Sequence, residues 1–432
     1  MKWQEYYQSR TTTPEEAVKV VKPGDRIVLA HACGEPQVIV EALIARAPEL
    51  SNVEIVHEVA MGKAIYCRPE YEKSFRHNAF FAGKLSRQAI KEGRADYTSI
   101  YFHEVPSLFR SGLFPIDVAM VSVAPPDENG YVSLGVSVDY TLQAIKSAQL
   151  VIAEVNPNMP RTGESSLVSV ADIDYFVPVN IPIIELELPV IGEVEQKIGQ
   201  NIANLINDGD CLQLGIGAVP DAILGFLQDK KDLGIHSEMI SDGVMDLVEA
   251  GVINCSRKNY YPNSMVITFA MGSKLFYKWL NDNPMIKALP VDITNDPVNV
   301  AKNDNLVAIN SALSVDLLGQ VAADTLGGIQ FSGVGGQVDF IRGANQSKGG
   351  RAIIALPSTA ANGSVSRIVA SLAQGQAVTT SRYDVDYVVT EYGAAHLKWK
   401  TNRERANALI NIAAPEFRDL LRQEYRQIYG SL

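Results

Sequence analysis

The sequence predicts an α/β fold built from two related open α/β domains with mostly parallel sheets. Short segments rich in Val and Ile, bounded by Gly and Asp, alternate with helical patterns along the chain, which is typical of parallel sheets covered by helices on both faces. Segments of the first half recur in the second half in the same order. The length of 432 residues also exceeds what one hydrophobic core usually serves, so more than one domain is expected.

The first recurring element is a turn that leads into a short apolar strand. It occupies residues 21–30 in the first half and 206–215 in the second, with Gly24 and Gly209 lying 185 residues apart. A helical pattern follows each strand and starts at a proline, Pro36 or Pro220. Proline suits a helix start because the first helical N–H groups have no intrahelical partner.

Three further pairs of segments follow in the same order. They are 53–62 with 233–243, 118–123 with 306–311, and 150–156 with 387–393. Prolines interrupt the chain near residues 182–193, before a helical pattern that starts at Glu193. We therefore predict an N-terminal α/β domain over 1–187 and a C-terminal α/β domain over 188–432. Ligands of such sheets bind beyond the carboxyl ends of the strands.

The composition favours an enzyme without nucleic-acid or membrane partners. Hydrophobic residues make up 47% of the chain, and 38 Lys and Arg against 49 Asp and Glu give a net charge of −11. Without a block of basic residues, this charge argues against a nucleic-acid partner. The sequence contains neither a run of about 18 apolar residues, as a membrane span requires, nor a secretory signal. We expect a cytoplasmic location.

The cysteines and histidines do not form a recognisable metal site. Cys33, Cys67, Cys211 and Cys255 lie far apart and form no Cys-x-x-Cys pair, so we expect four buried, reduced thiols. His57 and His103 each precede a Glu, but neither has a second His four residues later, as the zinc-protease helix requires. We predict no metal.

Glu238 is the strongest candidate for a catalytic group. It lies among small, turn-forming residues at the end of an apolar segment. The plain alternative is a loop glutamate that faces solvent, which is common.

Two glycine clusters lie in the same half of the chain as Glu238. The segment 213–220 contains Gly215 and Gly217 before a helical pattern, and the segment 331–340 contains three further glycines. A Gly-x-Gly turn before a helix can bring backbone N–H groups against a phosphate or an oxyanion. Two alternatives stay open here. Residues 331–340 could form a bulged turn, and the first cluster could be a dinucleotide site with Glu238 on the ribose, although the third glycine of that motif is missing.

Taken together, these motifs resemble the acetyl-CoA hydrolase/transferase family from end to end. The residues that carry the resemblance are His-Ser-Glu-Met-Ile-Ser-Asp-Gly at 236–243, both glycine segments, 102–108, 387–393 and 405–412. The resemblance implies the CoA-transferase fold with an active site in the cleft between the domains. It implies transfer of CoA between 4-hydroxybutyryl-CoA or butyryl-CoA and acetate, through a covalent thioester on Glu238. CoA and short-chain carboxylates are then substrates, and no other cofactor is needed.

The resemblance also assigns roles to individual residues. It places CoA against Gly215, Ile216, Gly217, Ala218, Val219, Leu313 and Gly336. It gives Asn310 the role of holding the Glu238 carboxylate, although an Asn that ends a strand more often bonds its own turn. It suggests a substrate pocket with His31, Glu58, His103 and Glu104, each of which could instead be a satisfied buried polar group. It also favours a homodimer or larger homo-oligomer.

Three other functions remain as alternatives. Butyryl-CoA:acetate transfer could be the main activity, or water could replace the acceptor acid, as in an acyl-CoA thioesterase. A more distant alternative is a nucleotide-binding protein that does not use CoA. Dependence of CoA release on added acetate distinguishes a transferase from a thioesterase. Tight nucleotide binding without an effect of CoA would favour the nucleotide-binding protein.

Overall fold

The structure is a computed structural model that describes residues 2–187 and 189–431. The chain divides into two compact units, Met1–Glu187 with Val266–Thr294 and Leu188–Met265 with Asn295–Leu432. The predicted domain ends at positions 1, 188 and 432 lie outside the described residues. The sequence assigned residues 266–294 to the C-terminal domain, whereas in the structure they pack with the first unit.

The described residues contain fifteen α-helices. In chain order they are α1 Trp3–Arg10, α2 Pro14–Ala17, α3 Gln37–Ala45, α4 Arg87–Lys91, α5 Val105–Arg110, α6 Thr141–Ser147, α7 Glu193–Ala203, α8 Ala218–Gly225, α9 Asp242–Glu249, α10 Lys274–Leu280, α11 Val291–Thr294, α12 Pro297–Val300, α13 Gln337–Gln346, α14 Asn402–Ile412 and α15 Arg418–Tyr429. Within residues 2–187 and 189–431, no helix is both long enough and apolar enough to cross a membrane.

The strands up to residue 178 are β1 Arg26–Leu29, β2 Val53–His57, β3 Phe75–Ala79, β4 Ala95–Tyr97, β5 Ile116–Val123, β6 Tyr131–Ser133, β7 Ala148–Val155, β8 Leu167–Ser169 and β9 Tyr175–Pro178. The later strands are β10 Cys211–Gln213, β11 Gly234–Ile235, β12 Met239–Ile240, β13 Met265–Ile267, β14 Phe269–Ala270, β15 Ile286–Ala288, β16 Leu306–Ser311, β17 Ser314–Asp316, β18 Val321–Ala322, β19 Thr325–Leu326, β20 Ile329–Gln330, β21 Arg351–Ala355, β22 Thr359–Ala360, β23 Val365–Ser366, β24 Ile368–Val369, β25 Tyr387–Thr390 and β26 Gly393–His396.

A seven-stranded sheet forms the centre of the first unit. Its strand order is β4-β3-β2-β1-β5-β7-β9, and all neighbouring strands are parallel. Ile27, Val28 and Leu29 are consecutive and fully buried, as expected for a parallel strand that is covered on both faces. Side chains of α3, including Ile39 and Leu43, pack in the same core as Ile27 and Leu29.

A six-stranded sheet forms the centre of the second unit. Its order is β11-β10-β16-β21-β25-β26, and only the last pair, β25 with β26, is antiparallel. Residues of α13 and α14, among them Phe340 and Leu409, pack in one core with strands β16 and β21. The prediction of two α/β units with mostly parallel sheets is confirmed.

The two sheets share one topology, which confirms most of the predicted duplication. The order β2-β1-β5-β7-β9 in the first unit corresponds to β11-β10-β16-β21-β25 in the second. The pairing of residues 150–156 with 387–393 is wrong, because β7 occupies the position of β21, and β25 corresponds to β9. Both mispaired segments are Val-rich and contain a Glu, Glu154 or Glu391. Their sequence similarity therefore does not indicate their place in the sheet.

The segment 102–108, which carries part of the family resemblance, is helical over most of its length. Strand β4 ends at Tyr97, and a 3₁₀ turn, Phe102–Glu104, then leads into helix α5. Phe102, Val105 and Phe109 are buried at the three- and four-residue spacing of a helix face. Pro106 lies in the first turn of α5, where proline is tolerated.

All four cysteines are buried, free thiols, as expected. Burial raises the pKa of the Cys33 thiol to about 12 and that of the Cys211 thiol to about 12. Among the described residues, no cluster of three or more His, Cys, Asp or Glu could hold a metal ion.

In the first unit, a carboxylate from the protein itself occupies the N-terminus of the helix that follows β1. Glu154 Oε2, on strand β7, accepts the backbone N–H groups of Val38 at 2.8 Å and Ile39 at 3.2 Å, which are in the first turn of α3. Burial raises the pKa of Glu154 to about 7, even though these hydrogen bonds lower it, and the charge of Glu35 raises it further. Burial likewise raises the pKa of Glu35 to about 7.

We expect Glu154→Gln to flatten the pH dependence of stability in the weakly acidic range. Because the folded protein holds the Glu154 proton more tightly than the unfolded chain, this group stabilises the fold at low pH. That contribution is lost as the pH rises from about 4.5 to about 7. The loss in the unmodified protein should be on the order of 3 kcal/mol, and the neutral amide of Gln removes it.

The free energy of unfolding in urea, measured between pH 4.5 and 8, tests this expectation. Glu164→Gln is the matched control, because Glu164 is exposed in the same unit. A Glu154→Gln variant whose stability follows the same pH curve as the unmodified protein would contradict the assignment.

Candidate functional site

Glu238 lies at the carboxyl edge of the sheet in the second unit. Strand β11 ends at Ile235, and the His236 N–H still donates to the Leu212 carbonyl at 3.1 Å. Ser237 and Met239, on either side of Glu238, are buried, whereas Glu238 is half-buried. A firmly packed segment therefore carries a partly accessible carboxylate, unlike a loop glutamate that faces solvent.

Asn295 holds one oxygen of this carboxylate. Its side-chain Nδ2 donates to Glu238 Oε2 at 2.7 Å, within the short range of hydrogen bonds to charged groups. Asn295 is fully buried between helices α11 and α12, and its Oδ1 has no hydrogen-bond partner among the described residues. Asn295 could not be recognised from the sequence, because an Asn just before the start of a helix is common and gives no separate signal.

Gly336 completes a three-way contact with Glu238 and Asn295. A Cβ atom built on Gly336 would collide with Glu238 Oε2 and would lie 2.5 Å from Asn295 Nδ2. The backbone of Gly336 has a φ of −91°, which any residue can adopt. Glycine is therefore required here by the close approach of the carboxylate. The sequence prediction placed Gly336 in the CoA site, and the structure brings it directly to the candidate nucleophile.

Asn310 has a different partner from the one expected. It lies in β16, and its Nδ2 donates to Gln213 Oε1 on the neighbouring strand β10 at 2.9 Å. The amide contact to the carboxylate that the resemblance suggested for Asn310 is made by Asn295.

The predicted CoA-binding loop is an open turn between β10 and α8. Gly217 precedes α8 with a φ of +114°, a conformation that side chains other than glycine rarely adopt. No heavy atom lies within 4 Å of a Cβ built on Gly215 or on Gly217. Ile216 is 44% exposed, so the loop presents backbone and an apolar side chain on an accessible face.

The remaining members of the predicted CoA site lie in the same unit. Ala218 and Val219 form the first turn of α8 and are half-buried. Leu313 follows β16 and is half-buried, and its N–H donates to the Ala322 carbonyl at 2.9 Å.

Two buried side chains fix the segment that carries Glu238. The Ser237 hydroxyl donates to the Leu214 carbonyl at 3.0 Å and accepts the Leu214 N–H at 3.2 Å. Lys258 Nζ donates to the Ile235 carbonyl at 2.7 Å and to the Ser264 carbonyl at 2.8 Å. Burial lowers the pKa of the Lys258 ammonium, and its stem lies against Gly234. Lys258 therefore holds the side of the edge strand β11 that faces away from β10.

The first unit brings together two of the four predicted pocket residues. His31 is buried, and its Nδ1 lies 3.3 Å from Asp139 Oδ2. The Tyr140 hydroxyl accepts the N–H of the buried Glu58 at 3.3 Å, and the Tyr140 ring packs 5.9 Å from the imidazole of His31.

The other two pocket candidates are more accessible. His103 is half-buried and stacks on Tyr101 with 6.1 Å between ring centroids, whereas Glu104 is exposed. Phe102, the residue before His103, contacts His31 instead, with 5.4 Å between the two ring centroids. The roles of these four residues in a substrate pocket stay predictions.

Two family models match the chain. The acetyl-CoA hydrolase/transferase N-terminal domain matches residues 1–185, and the acetyl-CoA hydrolase/transferase C-terminal domain matches residues 272–425.

Full-length relatives support the same match. The chain is 56% identical over 427 residues to the 4-hydroxybutyrate coenzyme A transferase of Clostridium kluyveri, covering 99% of this chain and 100% of the relative. It is 45% identical over 431 residues to the succinyl-CoA:cyclohexane-1-carboxylate CoA transferase of Geobacter metallireducens, covering 99% and 97%. The crystal structure of RipA from Yersinia pestis superposes with a TM-score of 0.95 at 38% identity, covering 100% of both chains.

Proposed function

Since this chain belongs to the acetyl-CoA hydrolase/transferase family and is an enzyme of the CoA-transferase type, we propose that it moves CoA between a short-chain acyl-CoA and acetate through a covalent thioester on Glu238. We further propose 4-hydroxybutyryl-CoA as the first acyl donor to test, because the relative that is 56% identical carries that name. Butyryl-CoA, which lacks only the terminal hydroxyl, is the second.

The reaction begins with attack of the Glu238 carboxylate on the thioester carbonyl carbon. The C–S bond breaks, CoA leaves as a thiolate, and an acyl–glutamyl anhydride remains. The thiolate then attacks the glutamyl carbonyl carbon and breaks its bond to the bridging oxygen. This step releases the first carboxylate and leaves a glutamyl-CoA thioester. Acetate reverses both steps, which yields acetyl-CoA and the free Glu238 carboxylate.

A carboxylate nucleophile suits this exchange because it keeps the free energy of the thioester. Both covalent intermediates, the anhydride and the glutamyl thioester, are activated carbonyl compounds, whereas a serine ester would dissipate that energy. The proposed cycle therefore requires no nucleotide, metal or organic cofactor, and CoA itself is a substrate.

The contact among Glu238, Asn295 and Gly336 is the observation that carries this proposal. The amide of Asn295 fixes one carboxylate oxygen at 2.7 Å, and the missing side chain of Gly336 leaves room for it. Holding a nucleophile in one orientation removes much of the entropic barrier to attack. The open loop at 215–217 offers backbone groups in the same unit, and we assign it to CoA.

Trapping of the intermediate tests the proposal. The enzyme is incubated with butyryl-CoA or 4-hydroxybutyryl-CoA without an acceptor acid, and its intact mass is measured before and after reduction with borohydride. We expect a CoA adduct on the peptide that contains Glu238, which borohydride converts to an alcohol. Turnover of the thioester by an enzyme that never becomes modified would rule out the covalent route.

The role of water is decided by a second measurement, the rate of CoA release with and without added acetate. CoA release that depends on added acetate supports a transferase, whereas steady release without any acceptor acid indicates a thioesterase. Comparing the two acyl donors at equal concentration then measures how strongly the terminal hydroxyl is selected.

A further inference from the structure

Backbone hydrogen bonds join β10 to the segment that leads to Glu238. The Gly234 N–H donates to the Asp210 carbonyl at 2.9 Å, and the His236 N–H donates to the Leu212 carbonyl at 3.1 Å. These bonds advance by two residues on each strand, as a parallel ladder does.

The Ser237 side chain adds two hydrogen bonds between the same two segments. Its hydroxyl donates to the Leu214 carbonyl at 3.0 Å and accepts the Leu214 N–H at 3.2 Å. Both backbone groups of Leu214 are thus satisfied by one hydroxyl, which can donate and accept at once. Ser237 is fully buried, and Leu214 is 3% exposed, so water cannot easily substitute for either partner.

We infer that Ser237 is a positioning residue for the proposed reaction. Its hydroxyl bonds both backbone groups of Leu214 and so fixes the residue directly before Glu238. The same two bonds tie the segment of the nucleophile to Leu214, the residue directly before Gly215 of the proposed CoA loop. This inference rests on the proposed role of Glu238.

Loss of the hydroxyl should change where Glu238 points. In Ser237→Ala the buried N–H and carbonyl of Leu214 lose their partners, and buried backbone groups in proteins are nearly always paired. The segment that carries Glu238 must then shift until these groups find other partners. Such a shift would move the Glu238 carboxylate away from Asn295 and Gly336.

The experiment compares the rate of adduct formation among four variants. Ser237→Ala, Ser237→Thr, Ser237→Cys and Ser241→Ala are mixed with butyryl-CoA without an acceptor, and the CoA adduct is followed by intact mass over time. Ser241 is the matched control, because it lies three residues after Glu238, is also buried, and its side chain makes no capping hydrogen bond to α9.

We expect adduct formation in Ser237→Ala to be roughly 100-fold slower, as for a nucleophile displaced by about 1 Å. The dissociation constant of CoA, measured by competition, should change far less, because only the orientation of the nucleophile is affected. Ser237→Thr retains the hydroxyl and should recover most of the rate, and Ser241→Ala should match the unmodified enzyme. If the alanine variant does not fold, Ser237→Cys replaces it, since a thiol fills the space but bonds weakly.

Three results would overturn the inference: an unchanged rate in folded Ser237→Ala or Ser237→Cys, an equal loss in Ser241→Ala, or a folded Ser237→Thr that is as slow as the alanine variant. Failure of the proposed function looks different, because then neither the unmodified enzyme nor Ser241→Ala forms an adduct.

Discussion

Glu238→Gln is expected to lower kcat/KM for the transfer of CoA from butyryl-CoA to acetate by at least about 10⁴-fold, as for the loss of a nucleophile in other covalent enzymes. Gln has nearly the same size as Glu, and its side-chain oxygen can still accept the amide of Asn295, which lies 2.7 Å from Glu238 Oε2. The fold should therefore be kept. An amide, however, does not attack a thioester to form an anhydride, so the first covalent step is lost.

Glu238→Asp and Glu249→Gln give this result its controls. Aspartate is a nucleophile of the same kind, but its shorter side chain leaves the carboxylate out of reach of the carbonyl, and we expect an intermediate loss of roughly 100-fold. Glu249 is exposed at the end of α9, and its replacement should leave the rate unchanged. A folded Glu238→Gln variant that retains more than a tenth of the rate would show that another group is the nucleophile.

Some parts of the site could be predicted from the sequence, because the local backbone there requires a particular type of residue. Gly217 is an example, because its φ of +114° requires glycine whatever surrounds it, so Gly-x-Gly before a helical pattern predicts an open turn. Glu238 was recognisable for a similar reason, since a carboxylate among turn-forming residues at the end of an apolar segment is conspicuous.

Asn295 could not be predicted because its role depends on packing between distant parts of the chain. It lies 57 residues after Glu238, in the short connection between α11 and α12. The chain reaches it through residues 266–294, which pack with the first unit. Nothing in the composition of that segment indicates where it packs. Asn310 was the more obvious amide, because it lies near the end of a strand of the central sheet, yet it pairs with Gln213.

The duplication also shows a difference between the two halves at the N-terminus of the helix that follows the first strand. When Gly24 is aligned with Gly209 and the strand register is followed, Ser122 is equivalent to Ser311. On the next strand, Ser122 pairs with Glu154, whereas Ser311 pairs with Ala355. In the first unit, Glu154 fills the N-terminus of α3. Ala355 is buried and carries no carboxylate that could fill the N-terminus of α8 in the same way. This difference agrees with the proposed assignment of the loop before α8 to CoA.

The close approach of Gly336 to Glu238 leads to the second large expected effect. In Gly336→Ala the new methyl group would collide with Glu238 Oε2 and with Nδ2 of Asn295. Helix α13 starts at the next residue, and its Val338 and Phe340 are fully packed in the core. The helix therefore cannot easily retreat, and the carboxylate must move instead. We expect adduct formation to slow by roughly 100-fold or more, as for a misplaced nucleophile.

The rate of adduct formation with butyryl-CoA, measured beside the melting temperature, separates this effect from simple unfolding. Gly225→Ala is the matched control, because no heavy atom lies within 4 Å of a Cβ at that position and Gly225 is exposed at the end of α8. Since both changes act on one group, adding Gly336→Ala to Glu238→Gln should cause no further loss of rate, in contrast to independent sites, whose effects add. Adduct formation at the normal rate in folded Gly336→Ala would mean that the carboxylate does not react from the position it holds beside Asn295.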